Sequence, residues 1–311
     1  MNLDGFILRA LNRLQRFAPS SVRQNIKGAI YVANEMARFA PPGRMAFRLA
    51  FAPKYRLLAH PGVPSRHQTL FKLCAWNNCR IVTDPSQPHD LAIHFKNDPE
   101  RCELPVSVAT INRHCDNVSK SHIADVFEQI FGYAIAVDPL LFRGRMVEKP
   151  DGNYSFEGRI VQGTMAQDQV RADRVYERFI DTHKDGYAID LRTPIYGKEI
   201  PVVYEKRIPA NAHMKDVKSA RMRQTDDVYS AEEQSKLVAF AEALSLEYGE
   251  IDVLRDNNSG QIYVVDVNNT PGGPPKQMSN QEIAGALDIL SPAFMRLLRS
   301  YVRTHNRAGH R

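Results

Sequence analysis

The sequence predicts a mixed α/β chain of the α+β kind, and three observations carry that prediction. Helical and strand-like patterns alternate between residues 66 and 131. A run of five short strand-like segments, separated by turn residues, fills 145–206. A helix and a pair of strands joined by a polar turn then lead into closing helices that end near residue 302.

The elements follow in order. Residues 3–18 have helical periodicity, with Ile7, Ala10, Leu11 and Leu14 on one face and Arg9, Asn12, Arg13 and Arg16 on the other. A second basic helix is expected over 20–39, ended by Pro41-Pro42-Gly43. Residues 1–59 thus read as a basic helical arm. Such an arm suits peripheral contact with an anionic membrane or an acidic partner through 1–50, or packing on the body with a solvated arginine face. Residues 67–78 read as a helix, and 80–83, 91–95 and 106–111 as strands, with Pro85, Pro88 and Pro99 in the loops. Ile123, Val126, Phe127 and Ile130 give 119–131 helical spacing, and Gly132 is a C-cap residue. Strands are expected at 145–149, 158–163, 174–180, 188–195 and 202–206. Ser230 and Glu233 have capping-box spacing at the start of a helix over 230–246. Strands at 251–254 and 262–267 flank the turn Asp256-Asn257-Asn258-Ser259-Gly260. Two closing helices, 281–290 and 292–302, are divided at Pro292.

The 311 residues are 43% hydrophobic and 24% charged, which excludes wholesale disorder. No stretch reaches the roughly 18 apolar residues of a membrane-spanning helix. The net charge of +6 is uneven: residues 1–60 carry +8 and 296–311 carry +5, which leaves the body at −7. A body of that sign argues against a specific nucleic-acid partner. The cysteines Cys74, Cys79, Cys102 and Cys115 form neither a CxxC pair nor a zinc pattern, and read as reduced thiols. Arg9, Arg13 and Arg16 interrupt the N-terminal apolar residues, so no cleaved signal peptide is expected. A cytoplasmic location follows, with peripheral membrane association through the arm as an addition.

The chemistry concentrates near the C-terminus. Asp266 and Asn268 are two apart on one strand and share a face. Asp252, on the neighbouring strand, can reach that face. Two carboxylates and an amide oxygen make a hard-oxygen set suited to Mg²⁺, with Mn²⁺ as an alternative. An Asp amid Val264, Val265 and Val267 is unfavourable unless it is paired or bound to metal.

This pattern, Asp252-Val253-Leu254-Arg255 followed by Asp266-Val267-Asn268-Asn269-Thr270-Pro271-Gly272, resembles the ATP-grasp superfamily. The resemblance is to the branch containing glutathione synthetase and the ribosomal protein S6 glutamate ligase, many of whose members have Glu where Asp266 stands. It extends upstream in the family's order. Lys120, before a helix, and Lys149, in Met146-Val147-Glu148-Lys149-Pro150, look like the lysines that contact ATP phosphates. The turn 151–158 takes the place of the phosphate loop. Glu177, Arg178, Phe179, Ile180 and Asp181 resemble the hinge strand, whose backbone would pair with adenine while Glu177 or Asp181 meets the ribose. Asp190-Leu191-Arg192 and Tyr204-Glu205-Lys206-Arg207 resemble the two strands that supply phosphate contacts. Arg192, Arg207 and Lys149 would act on the transferred phosphoryl group, and Lys206 would help bind the nucleotide. Arginine suits this because its planar fork stays charged and matches phosphate oxygens.

The resemblance implies an ATP-grasp fold: an N-terminal α/β lobe at 60–115, a central lid at 116–185 and a metal- and phosphate-binding subdomain at 186–298, the latter two enclosing ATP, with a basic tail at 299–311. It also implies a ligase that activates a substrate carboxylate, small or peptidic, as an acyl-phosphate and joins it to an amine. A small-molecule kinase on the same scaffold, and a non-catalytic nucleotide-binding module acting through its basic arms, are the alternatives.

Overall fold

The computed structural model describes residues 9–10, 12–15, 19, 30, 52–96, 101–152, 157–210 and 216–308, with side chains to 303. The expected arm helices over 3–18 and 20–39 lie largely outside the described residues, as do the end of the basic tail and residues 153–156 of the expected phosphate loop.

Among the described residues, three sheets make up the body. The first is parallel, with strand order β2-β1-β3-β4, and holds β1 (Arg56–Pro61), β2 (Arg80–Val82), β3 (Leu91–Phe95) and β4 (Thr110–Ile111). Helix α1 (Thr69–Trp76) connects β1 to β2. Strand β1 is not among the elements expected from sequence. Its Leu57, Leu58 and Ala59 are at most 1% exposed, and a central parallel strand buried on both faces offers no alternation to read. The strand expected at 106–111 contracts to β4, because Val106 is 88% exposed.

Helix α2 (Lys120–Phe131) begins at Ser119, whose hydroxyl accepts from the His122 N–H at 3.4 Å, and ends at Gly132 in the left-handed region. A small antiparallel sheet follows, order β6-β5-β7, from β5 (Arg145–Pro150), β6 (Arg159–Gln162) and β7 (Arg174–Arg178).

The third sheet is antiparallel, with order β11-β10-β9-β12-β13 and β8 paired to β9. Its strands are β8 (His183–Lys184), β9 (Tyr187–Tyr196), β10 (Val203–Pro209), β11 (Ser219–Arg223), β12 (Tyr248–Arg255) and β13 (Ile262–Asn268). Helix α3 (Ala231–Ala243) has the expected capping box: Ser230 Oγ accepts from Glu233 N at 3.2 Å, and Glu233 Oε2 accepts from Ser230 N at 2.9 Å. α2 and α3 cover one face of the sheet through Phe127, Phe240, Leu191, Ile251 and Val264. At one end of the opposite face, Tyr196, Tyr204 and Tyr248 pack with α1, the first sheet and the closing helix. Each of these large side chains contributes about 1.5–3 kcal/mol by leaving water.

The closing helices are one helix, α4 (Asn280–Ala308), which runs through Pro292. Proline withholds one backbone donor, and packing outweighs the loss. Leu287, Leu290, Ala293, Phe294 and Leu297 join one core cluster, and α1 pins the segment. Trp76 Nε1 donates to Asp288 Oδ1 at 2.8 Å, and Asn77 Nδ2 donates to Ser291 Oγ at 3.0 Å. All four cysteines are free. Among the described residues, no helix is long and apolar enough to cross a membrane.

Candidate active site

The register of the third sheet assembles the charged groups. Asp252 lies directly opposite Asp266 on β13 and opposite Arg192 on β9, while Glu250 lies opposite Asn268. Asp190 lies opposite Lys206 on β10. Side chains alternate along a strand, so these residues share one sheet face, here the front face. The three oxygen donors expected from sequence are therefore brought together.

Their partners are cations. Arg192 grips Asp252 with two parallel hydrogen bonds of 3.0 and 3.1 Å, and lies 3.6 Å from Glu250. Lys206 Nζ, on a side chain only 7% exposed, lies 2.5 Å from Asp190 and 3.3 Å from Asp252. Burial alone would raise Asp252, yet the charges of Arg192 and Lys206 hold it well below the usual carboxylate range. Burial and the neighbouring Asp252 charge push Asp190 up. Asp252 holds Arg192 well above its ordinary value.

The other lysines arrive from the smaller sheet and from α2. Lys120, in the first turn of α2, pairs with Asp266. Asp151, just after β5, accepts from Ser121 N at 2.8 Å and gives its carbonyl to Lys120 N at 2.9 Å, which ties that turn to β5. Lys149 reaches from β5 to the Val265 carbonyl at 3.1 Å and to Glu177 Oε2 at 2.7 Å. Burial raises Glu177 above its ordinary value, and Lys149 opposes that rise. Lys120, Lys149, Lys206 and Arg192 thus line one charged cleft with Asp252, Asp266 and Asn268.

Two expectations meet a different geometry. Arg207 follows Lys206 on β10 and lies opposite Ile189, so it is on the back face of the sheet, beside Glu205 at 3.6 Å. It is not brought to the cleft. In the hinge, Arg178 N donates to the Ile135 carbonyl at 2.9 Å and Phe179 N to the Arg145 carbonyl at 3.0 Å. Those two donors are used within the fold and are not open to adenine. The Phe179 ring carries the Arg145 guanidinium 4.0 Å from its centroid, Arg178 Nη1 is 3.4 Å from the Tyr263 hydroxyl, and Ile180 is buried. Asp181 accepts from His183 N at 3.1 Å, and its carbonyl accepts from Asn257 N at 2.8 Å.

Asp190 and Glu250 were not singled out from sequence as site residues. Their spacing from Arg192 and Asp252, two residues in each case, was the available signal. Glu250 is 2% exposed, its Oε2 has no hydrogen-bond partner, and burial raises it above its ordinary value. Gly273 lies against it: a Cβ there would collide with the Glu250 carboxylate and come within 2.9 Å of Thr69 Oγ1. The Pro271 carbonyl accepts from Thr69 N at 3.0 Å, so the Pro-Gly loop joins β13 to α1.

Among the described residues, no three His, Cys, Asp or Glu side chains cluster as metal ligands. The set at hand is two carboxylates and an amide. All three donors have partners in the fold: Asp252 with Arg192, Asp266 with Lys120, and Asn268 Oδ1 with Thr270 N at 3.0 Å. The donor chemistry fits a hard divalent cation, and the surrounding lysines fit a polyphosphate.

No protein-family model matches the sequence, and no curated protein matches it. Solved structures do match. The D-alanine–D-alanine ligase of Bacillus anthracis, complexed with ATP, is 15% identical with a TM-score of 0.53, over 82% of this chain and 99% of that one. The macrocyclase MdnC of Microcystis aeruginosa, bound with its precursor peptide MdnA, is 13% identical with a TM-score of 0.48, over 79% and 99%. The ATP-grasp ligase PsnB, complexed with a phosphomimetic variant of its minimal precursor, Mg and ADP, is 15% identical with a TM-score of 0.43. The match to PsnB covers 61% of each chain, so this protein spans about three-fifths of PsnB's length. The likeness to the D-alanine–D-alanine ligase takes in nearly all of that enzyme: the chain has the ATP-grasp fold.

Proposed function

We propose that this protein is an ATP-dependent carboxylate–amine ligase. One observation carries the reading: Asp252, Asp266 and Asn268 share a sheet face with Arg192 and Lys206, and Lys120 and Lys149 converge on it from separate elements. Two carboxylates and an amide supply oxygen donors for magnesium, and the four cations, now held by Asp252, Asp266, Asp190 and Glu177, supply the charge that a triphosphate calls for. The domain division is proposed with the lid at 116–185 and the metal- and phosphate-binding subdomain at 186–298, which follows the sheets except at β8, a lid-side strand paired to the larger sheet.

Asp252, Asp266 and Asn268 would hold Mg²⁺, which supplies charge neutralisation and alignment of the triphosphate. Lys120 and Arg192 are the resident cations on Asp266 and Asp252, so ion binding requires them to exchange partners. Once released, they are placed to meet phosphate oxygens, as are Lys149 and Lys206. A substrate carboxylate oxygen then takes the terminal phosphoryl group and ADP leaves. An amine attacks the acyl carbon, phosphate departs, and the amine proton passes to solvent. The protein's share is positioning and charge stabilisation, as in phosphoryl transfer generally. The buried Glu250 carboxylate, two residues from Asp252, is suited to receive the ammonium end of an acceptor.

The test is a panel of amino acids and small carboxylates incubated with Mg-ATP, with ADP and free phosphate both measured. Equal release of ADP and phosphate that depends on a carboxylate and an amine together supports ligation. ADP without phosphate and a stable phosphorylated product would identify a kinase instead. No turnover with any pair, and no nucleotide binding, would overturn the proposal.

A further inference from the structure

The back face of the third sheet carries a cavity of about 330 Å³ that the proposed reaction does not use. Its floor is formed by Ile189 and Leu191 on β9, with Val228 beside them. Ile189 and Leu191 alternate with Asp190 and Arg192 along β9, so the cavity and the charged cleft lie on opposite sides of the same strand. That volume is at the lower end of the range for small-molecule sites.

The walls are basic. Arg207, Arg221 and Arg223 converge on a single carboxylate, Glu205, whose side chain is only 9% exposed. Arg221 forks onto Glu205 at 3.0 and 2.9 Å, Arg223 donates to it at 2.9 Å, and Arg207 Nε stands 3.6 Å away. Arg207 Nε is buried and has no hydrogen-bond partner. Burial would raise Glu205, but Arg221 and Arg223 hold it below its ordinary value, so it stays ionised. Arg255, also in the lining, is taken up by Glu233 at 2.7 Å. With Lys184 the remaining cations number four against Glu205 and Asp227, a local excess of two positive charges. Three guanidiniums around one carboxylate, above an apolar floor, form an incompletely neutralised anion cradle.

We propose that this cavity is a second binding site, distinct from the nucleotide cleft, for a small multiply charged oxyanion: a phosphate ester or a di- or tricarboxylate with a short apolar body. The site does not depend on the ligase assignment.

The experiment is calorimetric titration of the full-length protein with inorganic pyrophosphate and, separately, with citrate, in magnesium-free buffer of low ionic strength. Binding of either probe that falls at least tenfold in the Arg221→Gln/Arg223→Gln double variant, and persists in the front-face variant Arg192→Gln, supports the site. Tighter pyrophosphate points to a phosphate source, and tighter citrate to a carboxylate source. Glu205→Gln should tighten binding several-fold, because it removes the resident negative charge; a purely structural cluster would not respond that way. The single variant Arg223→Gln leaves the Arg221–Glu205 fork intact and should show an intermediate loss if the double variant fails to fold. Absence of binding by both probes, unchanged affinity in the arginine variants, or loss confined to Arg192→Gln would overturn the proposal.

Discussion

Replacing Asp252 by Asn tests the charged cleft as a physical unit. The carboxylate holds Arg192 at 3.0 and 3.1 Å and Lys206 at 3.3 Å. The three side chains are 15%, 26% and 7% exposed, so Arg192 loses its main neutralising partner and Lys206 the more distant of two, with little water to replace them. Breaking one side of a buried pair typically costs about 3–5 kcal/mol. Two features reduce that figure here. Lys206 keeps Asp190 at 2.5 Å, and Arg192 keeps Glu250 at 3.6 Å and is partly solvated. The expected loss is therefore about 2–4 kcal/mol, read as a shift of the urea midpoint at neutral pH. The Arg192→Met/Asp252→Asn double variant should be less destabilised than the sum of the single variants, by about 1–3 kcal/mol, because neither charge is then left alone. A change below about 0.5 kcal/mol in Asp252→Asn, or strict additivity in the cycle, would refute the buried-cluster reasoning.

Three further outcomes are expected. Glu233→Gln keeps the capping-box geometry but loses the charged fork to Arg255 at 2.7 and 2.9 Å. Against burial, Arg255 and Ser230 hold the Glu233 carboxyl below its ordinary 4.5, so its contribution is present above that pH and lost as pH falls through the folded value. The wild type should exceed the variant by about 1–2 kcal/mol at neutral pH, with a gap that closes in acid; a gap independent of pH would contradict this. Gly273→Ala sets a methyl group against the Glu250 carboxylate and Thr69, and should cost about 1–3 kcal/mol in denaturant unfolding; an unchanged midpoint would mean that the loop is not held there. Deleting residues 1–50 should leave nucleotide binding intact and, if the arm is interfacial, reduce cosedimentation with anionic vesicles; equal sedimentation of the two proteins would remove the membrane reading of the arm and leave the packed one.

Much of the cleft was legible in the sequence because strand periodicity is local. The two-residue spacing of Asp266 and Asn268 predicts a shared face without any tertiary information. The short polar turn between their strands would by itself set Asp252 opposite Val265; a β-bulge between Asp252 and Val253 shifts the register by one residue and sets it opposite Asp266, a step that no local pattern marks. The same rule would have set Arg207 apart from Lys206, since consecutive residues on a strand point to opposite faces. Strand β1 was hidden because a strand covered on both sides has no polar partner residues to mark it. Strand β11, Ser219–Arg223, was hidden for the opposite reason: its Ser, Arg, Met and Arg residues resemble a solvated loop, and pairing with β10 makes it a strand. The continuity of α4 through Pro292 depends on contacts with Trp76 and Asn77 more than 200 residues away, which no local pattern encodes. The hinge donors of Arg178 and Phe179 are likewise committed to Ile135 and Arg145 by tertiary pairing.

The central claim is that a carboxylate is activated on this fold by phosphorylation and then captured by an amine. A substrate carboxylate labelled with heavy oxygen tests it directly, because one labelled oxygen must leave with the phosphate when the amide forms. That label is expected in the phosphate released by the wild-type protein, with neither phosphate nor product from Asp266→Asn or Asn268→Ala, both still folded. Unlabelled phosphate from the wild type, or undiminished turnover in those variants, would contradict it.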